Sequence, residues 1–231
     1  MSFNNGDFVK IEYTARRASD KSIVYTTVEK VAKEEGVYES NVNYRPQLVI
    51  VGMKSTIKGV EDTVKAMETG ESKKVEFGPS EAFGERNEQL VNVMRMSDFR
   101  DKGVNPYPGM QVNIDGNVAT VKSINSGRVV VDLNHPLAGE RLLYEIQVVG
   151  KVSGDAEKIK ALAEHYSVVP DSVSVDSGVA KVVFGGKVDK NTDYIVNKGA
   201  LLESVFKYLE GVRKIVVVEE FERAKDATAE K

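Results

Sequence analysis

Reactive side chains are scarce in this 231-residue sequence. It has no cysteine and two histidines, His135 and His165. That excludes thiol catalysis, a disulfide framework, Cys-ligated zinc and a multi-histidine metal site within one chain. The stretch that stands out is Asp132-Leu133-Asn134-His135-Pro136-Leu137-Ala138-Gly139, a polar loop carrying a Pro and a Gly. In the residues that follow it, Leu142, Tyr144, Ile146 and Val148 alternate with Leu143, Glu145 and Gln147. This is the period of a strand with one apolar face, and that face carries a tyrosine. Taken singly, a strand tyrosine such as Tyr13 or Tyr144 reads as core packing. His135 reads as the acceptor or donor of a loop-closing hydrogen bond. His165, near the end of a helical stretch, reads as a partner for the helix dipole.

The elements that would position these residues follow from periodicity and turn chemistry. Val9, Ile11 and Tyr13 alternate with Phe8, Lys10 and Glu12, giving a first strand with the former set buried. A second β-prone run covers residues 22–27, and a short helix is expected from Val28 to Glu35, closed by Gly36. Residues 47–51 form a strand. Ile57, Val60, Val64 and Met67 then share one face of a helix that ends before Gly70. A strand over 71–77 leads to Gly78-Pro79 and a turn, Ser80 to Gly84, that presents Phe83.

From about Arg86 to Asp132 the texture changes. A short strand (90–94) and a short helix (97–102) precede three strand-like runs, Met110–Ile114, Val118–Ile124 and Arg128–Asp132. Asp115-Gly116-Asn117 and Asn125-Ser126-Gly127 between them are hairpin signals. Such a unit of roughly 45 residues is marginal alone and needs to be docked or held at both ends. Beyond Ser153-Gly154 the order is helix (155–166), strand (172–175), strand (179–184), helix (191–209) and strand (214–222). The acidic run Glu219 to Glu222 reads as a solvated strand edge, and 223–231 as a disordered tail.

Composition bounds the rest. The hydrophobic share is 41% and the charged share 29%, as in an ordinary globular protein with a core, and the length suggests two or three units. A net charge of −3 argues against nucleic-acid and anionic-membrane partners. No run of about 18 apolar residues exists, so no transmembrane helix is expected. The polar start, Met1 to Asp7, is not a signal peptide, and the chain reads as cytoplasmic. No cofactor or metal is expected.

Over residues 6–152 the sequence resembles FKBP-type peptidyl-prolyl cis-trans isomerases of the SlyD-like, insert-in-flap kind. The resemblance rests on Asn134-His135-Pro136-Leu137-Ala138-Gly139 and the Tyr144 strand, on Tyr13, on Thr56-Ile57-Lys58-Gly59-Val60, and on Ala82-Phe83-Gly84. The helix-bearing stretch 27–38 is similar to that of archaeal long members, which carry an extra C-terminal domain. The resemblance implies an α+β fold: an FKBP-like antiparallel sheet wrapped on a short helix (1–85 and 133–152), a small β-rich insert (86–132), and an α-β-β-α-β C-terminal domain (153–222). It implies an apolar pocket in which Tyr13, Ile57, Phe83 and Tyr144 carry the reaction and Val24, Tyr25 and Val60 line it. There the Ile57 backbone N–H would hold the substrate carbonyl. The insert, with Met94, Met96, Phe99, Tyr107 and Met110, would hold unfolded, proline-containing clients, and the C-terminal domain offers a place for a homodimer contact.

Three features depart from the family pattern. Its Phe-Asp pair falls on Val24-Tyr25, so the usual pocket aspartate is absent. Gln47 stands near a usually aromatic or apolar position and Val60 where the large aromatic of the pocket floor is expected, and Phe83 lacks the hydroxyl of the family's tyrosine. These departures leave open a non-enzymatic chaperone with a degenerate pocket, or an adaptor organised by the C-terminal domain.

Overall fold

The computed structural model describes residues 2–185 and 191–220. Its strands are β1 (Phe8–Arg17), β2 (Ile23–Thr26), β3 (Gln47–Ile50), β4 (Ser72–Phe77), β5 (Val91–Arg95), β6 (Gln111–Ile114), β7 (Asn117–Asn125), β8 (Arg128–Asp132), β9 (Leu142–Val152), β10 (Ser172–Asp176), β11 (Val179–Phe184) and β12 (Lys214–Glu219). The helices are α1 (Glu29–Glu34), α2 (Lys58–Lys65), α3 (Met96–Arg100), α4 (Asp155–His165) and α5 (Thr192–Tyr208). The α+β class expected from the sequence is what the chain adopts. Among the described residues no helix is long and apolar enough to cross a membrane.

Three sheets carry the strands: a five-stranded sheet with order β2-β1-β9-β4 and β3 paired to β1, a four-stranded sheet β5-β8-β7-β6, and a three-stranded sheet β10-β11-β12. The chain forms two compact units, one of Met1–Thr14, Tyr25–Lys74 and Glu145–Lys231, the other of Ala15–Val24 and Val75–Tyr144.

In the first unit, β1 and β3 pair antiparallel, with Phe8 opposite Ile50 and Lys10 opposite Leu48. The α2 face behaves as its spacing requires: Val60, Val64 and Met67 are buried. The strand alternation expected for β1 holds on one side only. Phe8, read as outward-facing, is fully buried, because Phe8, Leu48 and Ile50 share one apolar cluster with Ile159, Leu162, Phe184 and Leu201 of the C-terminal region. Both faces of β1 are therefore covered at this end, and a period-two pattern cannot report the second cover.

The C-terminal region follows from its turn and crossover rules. Ser177 and Gly178 both have positive φ, 48° and 78°, as a two-residue type I′ hairpin between β10 and β11 requires. A Cβ at Gly178 would lie 2.9 Å from the Arg213 side chain and 3.0 Å from the Gly211 carbonyl, so only glycine fits. β11 and β12 pair parallel, which demands a crossover, and α5 supplies it. The Asn191 side chain caps α5 by accepting the Tyr194 N–H at 2.9 Å. Glu219, expected on a solvated edge, instead accepts the Tyr194 hydroxyl at 2.6 Å and pairs with Lys198. Phe221, Glu222 and the expected tail lie outside the described residues.

In the second unit, β5, β8, β7 and β6 form an antiparallel sheet whose hairpins turn at Asp115-Gly116 and Ser126-Gly127, all four with positive φ. Its core is small: Phe99, Val112, Ala119, Val121, Val129 and Val131.

Candidate active site

Each unit holds part of the expected residue set. In the first, Tyr13 is fixed on β1 by two backbone links to Thr27. Its N–H donates to Thr27 Oγ1 at 2.8 Å, and its carbonyl accepts the Thr27 N–H at 3.0 Å. The Tyr13 ring lies 5.7 Å from that of Tyr25, tilted by 35°. Tyr25, at the position of the missing aspartate, thus packs against Tyr13. Tyr13 also borders an open groove of about 390 Å³ with Val28, Val31 and Ile146.

Ile57 is the N-cap of α2, with φ −63° and ψ 148°. Its carbonyl accepts the Glu61 N–H at 3.1 Å, the first bond of the helix. No acceptor among the described residues takes its own N–H, as expected of a helix N-terminus. That donor is available to a ligand carbonyl. Val60, one turn on, is 1% exposed and packs inward.

Tyr25 and Gln47, the two departures in this unit, line a second cleft of about 240 Å³ with Arg45, Glu164 and His165. Arg45 donates to the Glu164 carbonyl and, at 3.4 Å, to Ser167 Oγ, while Lys10 pairs with the Glu164 carboxylate at 2.7 Å. Removal from water and the nearby Arg45 guanidinium lower the His165 pKa. Both effects favour the neutral imidazole over the dipole-paired cation its position suggested.

In the second unit, Tyr144 is 6% exposed on β9 and its ring lies 5.2 Å from Phe77, tilted by 48°. Burial pushes its hydroxyl up to about 12, so it is neutral at any physiological pH. Val24, at the end of this unit's N-terminal segment, is half-buried.

Phe83 follows a single 3-10 turn, Pro79–Glu81, that begins after Gly78, and it precedes Gly84, φ +82°. The Gly84 N–H donates to the Pro79 carbonyl at 2.7 Å, and the Gly139 N–H to the Gly84 carbonyl at 2.8 Å, tying this turn to the His135 loop. The rings of Phe83 and His135 are stacked, with centroids 4.2 Å apart and planes 2° from parallel. His135 Nδ1 accepts the Leu137 N–H at 3.2 Å, the loop-closing bond expected for it.

The same loop is anchored at Asp132, 3% exposed. Its carboxylate accepts the Asn134 N–H and side-chain amide at 3.0 and 2.8 Å and the Arg86 guanidinium at 2.6 Å. Asn134 in turn exchanges two hydrogen bonds with the Asn87 backbone. Burial alone would raise the Asp132 pKa, but the Asn134 bonds and Arg86 outweigh it and bring it to about 2. Asp132 and Asn134 lie in the stretch singled out from sequence, but their bonds to Arg86 and Asn87, which fasten the two chain crossings into the β5–β8 sheet, and the place of Phe77 beside Tyr144 were not read there. A buried Asp two residues before an Asn is a short-range signal that could have found the clamp.

Of the insert residues expected to bind clients, Phe99 is 5% exposed and belongs to the small core, with Met94, Met96 and Met110 half-buried against it. Tyr107 is exposed. Met94, Phe99, Val104, Met110 and Ile114 line a largely apolar groove of about 250 Å³. Among the described residues no three His, Asp or Glu side chains gather as a metal would need.

Comparison with known proteins places the chain in a family. Residues 1–100 match the model of the FKBP-type peptidyl-prolyl cis-trans isomerase family, and residues 92–137 match that described as "FKBP26, IF domain". The short-type peptidyl-prolyl cis-trans isomerase of Methanocaldococcus jannaschii is 35% identical over 143 residues, covering 62% of this chain and 90% of the relative. The SlyD isomerase of Helicobacter pylori is 31% identical over 147 residues, covering 60% and 77%. That of Pasteurella multocida is 30% identical over 146 residues, covering 60% and 72%. The chain belongs to the FKBP-type peptidyl-prolyl cis-trans isomerases and carries that family's insert domain.

Proposed function

We propose that this isomerase acts on unfolded or partly folded polypeptides, which it holds through the insert while Xaa-Pro bonds are turned over. The observation that carries the reading is the apolar groove of about 250 Å³ edged by Met94, Phe99 and Met110. Unbranched, polarisable methionines adapt to unrelated apolar segments, which suits a surface that must accept many sequences.

For the chemical step we assign Tyr13, Ile57, Phe83 and Tyr144 to the substrate, with Val24, Tyr25 and Val60 as further apolar surroundings. Rotation about the Xaa-Pro bond must break amide resonance, a barrier of roughly 18–20 kcal/mol. The twisted amide is less dipolar than the planar one, so apolar surroundings favour it. A carbonyl held by the Ile57 N–H would restrict the substrate to a rotatable orientation. No proton transfer is required, in keeping with a Tyr144 hydroxyl that does not ionise.

A second reading concerns self-association. Ile195 and Phe206, 60% and 52% exposed, lie eleven residues apart on α5, close to one line along the helix with Leu202 between. An apolar stripe of this kind favours a homodimer through α5.

The client-holding reading is tested by light scattering of an aggregating unfolded protein. The intact chain should suppress aggregation, and a chain with 86–132 replaced by a short loop should not. Equal suppression by both would remove the insert from the account.

A further inference from the structure

Phe83 stands where the family has a tyrosine, and so lacks a hydroxyl to donate to a substrate carbonyl. The ring stacked on it does have a donor. Because His135 Nδ1 accepts the Leu137 N–H, the neutral imidazole carries its proton on Nε2. No acceptor among the described residues takes that Nε2–H, and His135 is exposed. The parallel stack, 4.2 Å between centroids, fixes the imidazole plane against Phe83. The Gly139 to Gly84 hydrogen bond holds the two loops in that register.

We infer that His135 is a substrate-binding residue of this isomerase, its Nε2–H donating the hydrogen bond to a substrate backbone carbonyl that Phe83 cannot make. The donor sits on the ring stacked against Phe83. Its tautomer is set by the loop backbone and its plane by Phe83. The inference rests on the reading that the Phe83 turn meets the substrate. It adds that the donor has been transferred to the neighbouring loop, not lost.

The test is a double-mutant cycle. His135→Phe keeps a stacking ring and removes the donor, and Phe83→Tyr installs a hydroxyl. The cis-trans exchange of a short peptide with a single Leu-Pro bond is measured by NMR, with kcat/KM for the wild-type chain, both single variants and the double variant.

We expect His135→Phe to lower kcat/KM by roughly threefold to tenfold, the worth of one neutral hydrogen bond. Phe83→Tyr should recover most of that loss in the His135→Phe background and gain less in the wild-type background. A purely structural role for His135 would give no such rescue. An unchanged His135→Phe enzyme, or equal effects of Phe83→Tyr in both backgrounds, would overturn the inference. Loss of turnover in the wild-type chain itself would instead overturn the reading on which it rests.

A second measurement covers the case in which His135→Phe does not fold. In the ¹⁵N-labelled wild-type protein the imidazole should show the Nε2–H tautomer, and the Nε2 resonance should shift on saturation with the Leu-Pro peptide. The Nδ1–H tautomer, or an Nε2 resonance unmoved at saturation, would overturn the assignment.

Discussion

The four-stranded insert sheet and the three-stranded C-terminal sheet are similar in size and opposite in construction. The C-terminal sheet is closed by α4 and α5, and its cluster of Ile159, Leu162, Phe184 and Leu201 is at most 1% exposed and continues into Phe8, Leu48 and Ile50. The insert has one helix of five residues, a core of six buried residues, and methionines that are only half covered. A closed core gives rigidity and leaves nothing to bind. An open one sacrifices stability and leaves an apolar groove that can accept another chain. From this difference we expect the insert to depend for order on its anchoring at the Asp132 clamp as well as on its own small core.

This contrast can be broken at several points. Phe184→Ala should cost roughly 3–5 kcal/mol in urea unfolding of the intact chain, as for a fully buried aromatic. A loss below about 1 kcal/mol would mean that the C-terminal core is not closed.

The clamp should show in acid. The Asp132 pKa is held at about 2 against an ordinary 3.8, so its contribution is present above the ordinary value and is lost as pH falls from about 4 towards 2. That contribution is about 2 kcal/mol, and Asp132→Asn should remove this part of the acid dependence while leaving the rest. Identical acid unfolding of both chains would contradict the clamp. At the open groove, Met110→Leu conserves volume and should change stability by less than about 1.5 kcal/mol. It should nevertheless weaken client holding, because Leu is stiffer than Met.

Much of this was legible in the sequence where the determinants are local. The insert hairpins follow from Asp115-Gly116 and Ser126-Gly127, which need positive φ at adjacent residues. The inward face of α2 follows from its 3.6-residue spacing. What could not be read depends on partners distant in sequence. Phe8 is buried because the C-terminal cluster covers the far side of its strand. Glu219 is drawn in by Tyr194 and Lys198, on a helix that crosses over to reach its strand.

The same holds for the site. Tyr13 and Tyr144 were singled out only because they fall among family motifs, whereas the loop-closing bond of His135 was legible because its donor is two residues away. The Phe83–His135 stack joins residues 52 positions apart by number and leaves no periodic trace. Tyr25 and Gln47 look like simple losses from the family pattern, yet both line a cleft with Glu164 and His165 of α4. Residues at those positions answer to the C-terminal helix as well as to any substrate.

The most direct test of the division between holding and turnover compares two substrates. Catalysis of a short Leu-Pro peptide and of a proline-limited protein refolding reaction would be measured for the intact chain and for the chain with 86–132 replaced by a short loop. Peptide turnover should stay within a few-fold while protein refolding efficiency falls by an order of magnitude or more. An equal loss on both substrates, or none on either, would contradict that division.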